Sequence, residues 1–123
     1  MALMTLTASN FESTIKDNEI VIIDFWAPWC GPCQSFGPIF EKASEKFPDI
    51  TFAKVNTEEE QDLAGHFQIR SIPTVIIMKD NVGVFQQAGA LPEEAIADIL
   101  GQVQALDMDV VRKEMAEQAS KEA

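Results

Sequence analysis

The stretch Trp26-Ala27-Pro28-Trp29-Cys30-Gly31-Pro32-Cys33 contains both cysteines of the 123-residue chain. It follows a continuous apolar run, Ile20–Phe25, which is typical of a central strand covered on both faces. It precedes a helical pattern that extends from Gln34 to about Phe47. Two thiols separated by two residues, at the junction of a strand and a helix, indicate a redox motif.

Two other interpretations of the cysteine pair have less support. A zinc site would need two further ligands, and the chain has no third cysteine and only one histidine, His66. A pair of inert buried thiols does not suit the surrounding prolines and tryptophans, which indicate an exposed turn. We therefore expect no metal, and we expect His66 to lie on the surface of a helix.

Composition and charge narrow the class of protein. The chain carries 20 acidic and 9 basic residues, and its net charge of −11 argues against binding to a nucleic-acid backbone. No apolar run approaches the roughly 20 residues of a membrane-spanning helix. The segment Met1–Asn10 lacks the basic residue and the apolar core of a secretory signal. We therefore expect a cytoplasmic protein, in which a disulfide would be transient and catalytic.

The apolar periodicity predicts the order strand, helix, strand, helix, strand, helix, strand, strand, helix. Early alternation followed by a hairpin predicts an α/β fold: a central mixed sheet of about five strands, flanked by four helices. The segments Ser9–Glu12 and Thr57–Glu60 match the capping box and predict the starts of two helices. Lys79–Asn81 predicts the hairpin turn, and Gly83 predicts a bulge or an edge in the returning strand.

Asp24 is the one acidic residue in the apolar run Ile20–Phe25. Burial disfavours the charged form of a carboxyl group, so its affinity for a proton should rise. Asp24 either marks a solvated strand end or is a buried acid beneath the cysteine turn, ready for proton transfer. Lys54 lies in the next apolar run, Ile50–Asn56, where it either snorkels at a strand end or pairs with Asp24.

Taken together, these motifs resemble those of the thioredoxin family. The matching pieces appear in the family's order and spacing and cover roughly residues 4–105: Val21–Cys33, Pro38, Ala53–Asn56, Ile69–Thr74 and Gly89–Leu91. The resemblance implies a thioredoxin fold and the reduction of protein disulfides by thiol–disulfide exchange. It implies no bound cofactor, since a reversible Cys30–Cys33 disulfide would carry electrons that come from NADPH through a thioredoxin reductase. The expected partners are that reductase and disulfide-containing proteins, and we expect a monomer.

The resemblance also suggests a role for each residue of the site. Cys30 is the expected nucleophile, because unpaired N–H groups and the dipole at a helix start stabilise a thiolate. Cys33, one turn deeper and shielded, is expected to resolve the mixed disulfide. Asp24 is the expected proton acceptor, and Lys54 either tunes it or only packs there.

Further residues are expected to set the redox properties and to bind substrate. Gly31 and Pro32 tune the couple, and Pro32 favours a reductant because it adds neither a charge nor a hydrogen bond to the sulfurs. Pro73 corresponds to the family's cis-proline, and Ile72 before it should recognise the substrate main chain. Trp26 is expected to pack beneath the turn. The expected docking surface is flat and apolar and consists of Trp29, Ile72, Pro73, Gly89 and Ala90.

The resemblance ends near Ala105, which predicts a thioredoxin domain over residues 1–105 and a C-terminal extension over residues 106–123. The extension lengthens the last helix, forms a second helix after Asp107, or is a frayed terminus. A dimer contact through Val110, Val111 and Met115 is a further alternative.

A second class of function stays open. The chain could be a thioredoxin-fold binding module or chaperone subunit, in which the extension recruits a partner and redox chemistry is secondary. The intact cysteine pair, together with Asp24 and Pro73, favours the reductase.

Overall fold

A computed structural model describes residues 3–122 of the chain, without the side chains of residues 121 and 122. Residues 1, 2 and 123, which the predicted domain and extension include, lie outside the described residues. The described residues form a five-stranded sheet.

The strands are β1 (Met4–Thr5), β2 (Ile20–Trp26), β3 (Thr51–Asn56), β4 (Thr74–Lys79) and β5 (Val82–Ala88). Their order in the sheet is β1-β3-β2-β4-β5. Strand β3 is parallel to both β1 and β2, whereas β4 is antiparallel to both β2 and β5. The predicted mixed sheet is therefore confirmed.

Helices cover both faces of this sheet, as predicted. The helices are α1 (Phe11–Asp17), α2 (Gly31–Lys46), α3 (Gln61–His66), α4 (Glu93–Gln104) and α5 (Met108–Glu122). Helices α2 and α4 pack on one face, and α1 and α3 pack on the other. None of the described helices combines the length and the apolar character needed to cross a membrane.

Apart from Asp24, strand β2 is apolar, because both of its faces are covered. Ile20 and Ile22 join the core beneath α2 and α4, while Val21, Ile23 and Phe25 join the core beneath α1 and α3. Side chains alternate along a strand, so Asp24 falls on the same face as Ile20 and Ile22. The fold thereby directs this acidic residue toward α2, the helix that follows the cysteines.

Both predicted capping boxes are wrong. The hydroxyl groups of Ser9 and Thr7 share a hydrogen bond of 2.9 Å, and no side-chain cap bond forms at the start of α1. The hydroxyl of Thr57 donates to the carbonyl of Trp26 at 3.0 Å, and α3 begins four residues later. Hydroxyl side chains readily bond to other nearby groups. Ser9 and Thr57 therefore use their hydroxyl groups for these contacts and do not cap the two helices.

The predicted hairpin and its irregularity are confirmed. Asp80 and Asn81 both adopt positive φ, 51° and 65°, as a tight two-residue hairpin turn requires. Met78 pairs with Gly83, whereas the residue before Met78 pairs with Phe85, so β5 contains one extra residue at this point. The bulge lies next to Gly83, on a strand at the edge of the sheet.

The last residue of β4 is attached to the end of α4. Lys79 is buried, and its Nζ donates to the carbonyl groups of Val103, Gln104 and Leu106 at 2.8, 3.1 and 3.0 Å. An ammonium group has three donors, and all three are used here. Its charge also lies at the negative end of the α4 dipole. These contacts offset the cost of burying a cation away from any carboxylate.

The segment after α4 forms a second helix, α5. The side chain of Asp107 accepts the N–H of Asp109 at 3.0 Å, which caps the start of this helix. Met108 is buried, and Arg112 forms a salt bridge of 3.3 Å with Asp80 of the hairpin turn. Val110 is about half exposed. The division at residue 105 and the dimer contact stay predictions.

The Lys79 contacts predict a specific loss of stability. The change Lys79→Met keeps most of the side-chain volume but removes the three hydrogen bonds that Nζ donates to buried or half-buried carbonyl groups, so we expect the free energy of unfolding to fall by about 2–4 kcal/mol. Urea denaturation measures this change. Lys113→Met, on the exposed surface of α5, is the control and should shift stability by less than about 0.5 kcal/mol. Equal unfolding midpoints for the two variants would contradict the structural role of Lys79.

Candidate active site

The site begins where β2 ends and α2 starts. Cys30 is the residue before the first turn of α2, and its Sγ accepts the backbone N–H of Cys33 at 3.2 Å. Pro32 lies in the first turn, where a missing N–H leaves no helical bond unmade. The first turn contains no acidic residue. The Sγ of Cys30 therefore lies at the positive end of a helix of 16 residues, a position that favours a thiolate.

A disulfide joins Cys30 and Cys33. Both residues are buried, with 5% and 3% of their surface exposed, so the expected contrast between a reachable Cys30 and a shielded Cys33 is not visible as exposure. The bond draws the two sulfurs together, and Trp26 and Ile72 pack against them. What distinguishes the cysteines here is position, since only Cys30 precedes the helix and accepts a bond from it. Trp26 packs beneath the turn, as expected.

The bond between Ile72 and Pro73 is cis, as expected. The carbonyl oxygen of Ile72 lies 3.8 Å from the Sγ of Cys30, which brings the loop before β4 against the cysteine turn. The carbonyl of Pro73 accepts the N–H of Gly89 at 2.7 Å. Gly89 has φ of 96°, a conformation that glycine adopts without strain.

The predicted docking residues do not all lie on the surface. Trp29, Gly89 and Ala90 are exposed, and Ile72 is half-buried. Pro73 is buried, so it lies beneath this surface rather than in it. Pro73 directly precedes β4, whose first residue, Thr74, is also buried. Gly31 and Pro32 are exposed beside the disulfide.

Trp29 has a partner that the sequence analysis missed. Its side chain is 69% exposed, yet its Nε1 donates to Oε1 of Glu58 at 2.6 Å. Glu58 follows β3, and β3 runs parallel to β2, so the loops after both strands leave the same end of the sheet. The parallel arrangement of β2 and β3 could have predicted this contact, because it places the acidic residues after Asn56 near the tryptophans at the end of β2.

Asp24 is fully buried, and neither of its carboxylate oxygens has a hydrogen-bond partner among the described residues. Burial raises the pKa of Asp24 from 3.8 to about 7, and the positive charge of Lys54 opposes this with a smaller effect. The carboxyl group therefore exchanges its proton near neutral pH. Of the two interpretations of Asp24, the structure supports the buried acid.

Lys54 stands beside Asp24 but does not form an ion pair with it. The two residues are register partners on β3 and β2. Among the described side chains, however, no carboxylate lies within 4.0 Å of the Nζ of Lys54. The Nζ lies instead 4.7 Å from the ring centre of Trp26 and close to Gly37 of α2. Of the two interpretations of Lys54, the direct ion pair with Asp24 does not form, because the side chain extends over the indole of Trp26.

A side chain of α2 also ties down the loop before the cysteines. Gln34 donates from its Nε2 to the carbonyl of Pro28 at 3.0 Å.

His66 is exposed at the end of α3, with its ring edge-on to Phe67 at a distance of 5.1 Å between ring centres. Between residues 3 and 122, no three histidine, cysteine or acidic side chains converge in a way that could hold a metal ion.

Comparison with known proteins identifies the family. A family model described as thioredoxin matches residues 2–102. The chain is 58% identical over 113 residues to a protein described as thioredoxin 2 from Streptomyces coelicolor, covering 92% of this chain and 84% of that protein. It is 41% identical over 104 residues to a thioredoxin from Alicyclobacillus acidocaldarius, covering 80% of this chain and 99% of that one.

Solved structures agree with the sequence relatives. A mutant thioredoxin from Halobacterium salinarum superposes with a TM-score of 0.79 at 29% identity, covering 87% of this chain and 98% of that one. A thioredoxin from Plasmodium falciparum superposes with a TM-score of 0.76 at 32% identity, covering 81% and 98%. The mixed sheet with its flanking helices is thus the thioredoxin fold. The chain belongs to the thioredoxin family and is a thiol–disulfide oxidoreductase.

Proposed function

We propose that this protein reduces disulfides in other proteins, with Cys30 as the nucleophile and Cys33 as the resolving cysteine. The observation that carries the proposal is the hydrogen bond from the N–H of Cys33 to the Sγ of Cys30 at the start of α2. In the reduced protein the same N–H would stabilise a thiolate on Cys30. A thiolate, rather than a thiol, is the species that attacks a disulfide.

The first step forms a mixed disulfide. The Cys30 thiolate attacks one sulfur of the substrate, the substrate S–S bond breaks, and a new S–S bond joins Cys30 to the substrate. The second substrate sulfur leaves as a thiolate and takes a proton from solvent. No net oxidation has occurred at this point, since one disulfide has replaced another.

The second step releases the substrate. Cys33 gives its proton to the carboxylate of Asp24, directly or through water, and its sulfur attacks the Sγ of Cys30. The mixed disulfide breaks, and the remaining substrate sulfur leaves as a thiolate. The substrate has then gained two electrons, and the protein is left with the Cys30–Cys33 disulfide.

A pKa of about 7 suits Asp24 to the role of proton acceptor, because the group can both accept and return a proton near neutral pH. Lys54 lowers that pKa from a distance and so tunes the acceptor.

Substrate binding uses the surface around Cys30. The carbonyl of Ile72, close to the sulfur of Cys30, offers a main-chain acceptor to an extended substrate segment. Trp29, Gly89 and Ala90 provide exposed surface beside it, and the buried Pro73 fixes the course of the loop. Gly31 and Pro32 add neither charge nor a side-chain hydrogen bond next to the sulfurs, which favours a reducing couple.

Each turnover leaves the protein oxidised, so electrons must return to it. The chain has no further cysteine beyond this pair that could supply them internally. We therefore propose a thioredoxin reductase as the electron-donating partner, with NADPH as the ultimate source. A protein that works as a reductant suits the cytoplasm, where thiols are kept reduced. We propose that it acts there as a monomer.

Replacement of each cysteine tests this proposal. In insulin reduction with dithiothreitol, Cys30→Ser should give the rate of the dithiothreitol blank, because no nucleophile remains. Cys33→Ser should also lose turnover. When this variant is reduced, freed of dithiothreitol and then mixed with insulin, it should accumulate a one-to-one mixed disulfide that mass spectrometry detects. If the wild type itself did not exceed the blank, the binding-module function would be favoured. A mixed disulfide trapped by Cys30→Ser would contradict the assigned order of the cysteines.

The pKa of Asp24 predicts how stability depends on pH. The folded protein holds this proton more tightly than the unfolded chain, so stability from this group is full below pH 3.8 and falls until about pH 7. The shift of roughly three units corresponds to a loss of about 4 kcal/mol. Asp24→Asn cannot ionise, so we expect it to be more stable than wild type at pH 8, with the difference shrinking toward pH 4.

Urea denaturation of the oxidised proteins at several pH values measures this difference. Asp17→Asn, which changes an exposed acid on α1, is the matched control and should follow wild type at each pH. A stability difference between Asp24→Asn and wild type that stayed constant from pH 4 to 8 would contradict the raised pKa.

A further inference from the structure

A pocket of about 200 Å³ opens beside the cysteine turn. Trp29, Ala64, Ile69 and Ile72 form its apolar walls, and Thr57 and Ser71 also line it. Arg70 is the one charged residue that lines it. A cavity of this size and character accommodates a single apolar side chain.

The pocket lies on the route of any substrate that reacts with Cys30. Trp29 directly precedes Cys30 in the chain, and the carbonyl of Ile72 lies 3.8 Å from its sulfur. Both residues also line the pocket. An extended peptide advances about 3.3 Å per residue with side chains on alternate sides. A substrate residue within two positions of the reacting cysteine would therefore reach the pocket.

Arg70 forms no ion pair within the described part of the chain. It is exposed, and among the described residues no carboxylate lies within 4.0 Å of it. Arg112, by contrast, pairs with Asp80, and the Nζ of Lys79 is held by carbonyl groups. In a chain of net charge −11, a guanidinium group at the edge of an apolar pocket is left free to bind an external anion. Its planar donors match the two oxygens of a carboxylate.

Acidic residues lie beside the Trp29 wall of the pocket. Glu58 accepts the indole N–H of Trp29 and is followed by Glu59 and Glu60. A carboxylate on the substrate would be repelled near these residues and attracted near Arg70. The charges thus favour a substrate position that places an acidic side chain next to Arg70.

We propose that this pocket takes an apolar side chain of the substrate and that Arg70 selects substrates with a glutamate or aspartate near the reacting cysteine. Arg70 is thus a specificity-determining residue, and it does not touch the reacting sulfurs. The proposal rests on the disulfide reductase function proposed above and names a class of substrate for it.

Peptide disulfides test the proposal directly. The probes are disulfide-linked homodimers of a short peptide with one cysteine, a leucine nearby, and glutamate or lysine at one of four positions flanking the cysteine. The measurement is the second-order rate at which the reduced protein releases peptide thiol. For at least one position, wild type should reduce the glutamate peptide about threefold faster than the lysine peptide, as expected for an exposed ion pair. Added salt should weaken this preference.

Variants of equal charge change separate a local contact from general electrostatics. Arg70→Glu should reverse the preference, whereas Lys113→Glu on the exposed surface of α5 should keep it. Because the ratio is taken within each variant, a partial loss of folded protein does not affect it. The same ratio for wild type and Arg70→Glu at all four positions would overturn the role of Arg70 alone. Failure of wild type to reduce any of the peptides or insulin would overturn the proposed function as well.

Discussion

A carboxyl group buried without a partner is the constraint on which the site depends. Strand β2 is otherwise apolar because helices cover both of its faces, and Asp24 interrupts it with two oxygens that have no hydrogen-bond partner among the described residues. Burial raises its pKa to about 7 despite the opposing effect of the positive charge of Lys54. A fold selected only for stability would not retain such a group, since an apolar residue of similar size would cost less. The proposed transfer of a proton from Cys33 to Asp24 would account for its presence.

The sheet topology assembles the remaining parts around this group. Parallel β2 and β3 bring the loops of Trp29 and Glu58 to one end of the sheet, and antiparallel β4 brings the cis Ile72–Pro73 bond to the same end. The junction of β4 with α4 and α5 lies at the other end, where Lys79 is register partner to Ile20. The length of β2 separates the two ends by roughly 20 Å. The C-terminal helix is therefore attached far from the cysteines.

Local patterns explain how much of this was predictable from the sequence. The strands, the hairpin turn at Asp80 and the bulge near Gly83 follow from apolar runs and special residues, so they were predicted. The two missing helix caps, the hydrogen bonds of Lys79 and the contact of Glu58 with Trp29 were not. These depend on which distant segments meet: the residues in the last contact are 29 positions apart. The sequence also left two interpretations of Lys54 open. The register places Lys54 beside Asp24, but its flexible side chain lies over the indole of Trp26, a contact that the sequence pattern does not reveal.

The role of Asp24 as proton acceptor is tested most directly by the rate of mixed-disulfide resolution. Stopped-flow measurement of peptide-thiol release compares wild type with Asp24→Asn between pH 6 and 9, with Asp17→Asn as the control. We expect Asp24→Asn to release peptide thiol at least about tenfold more slowly than wild type at pH 7, because asparagine cannot accept the proton of Cys33. The difference should narrow toward pH 9, where solvent hydroxide can remove that proton. Equal rates for wild type and Asp24→Asn over the whole range would contradict the account.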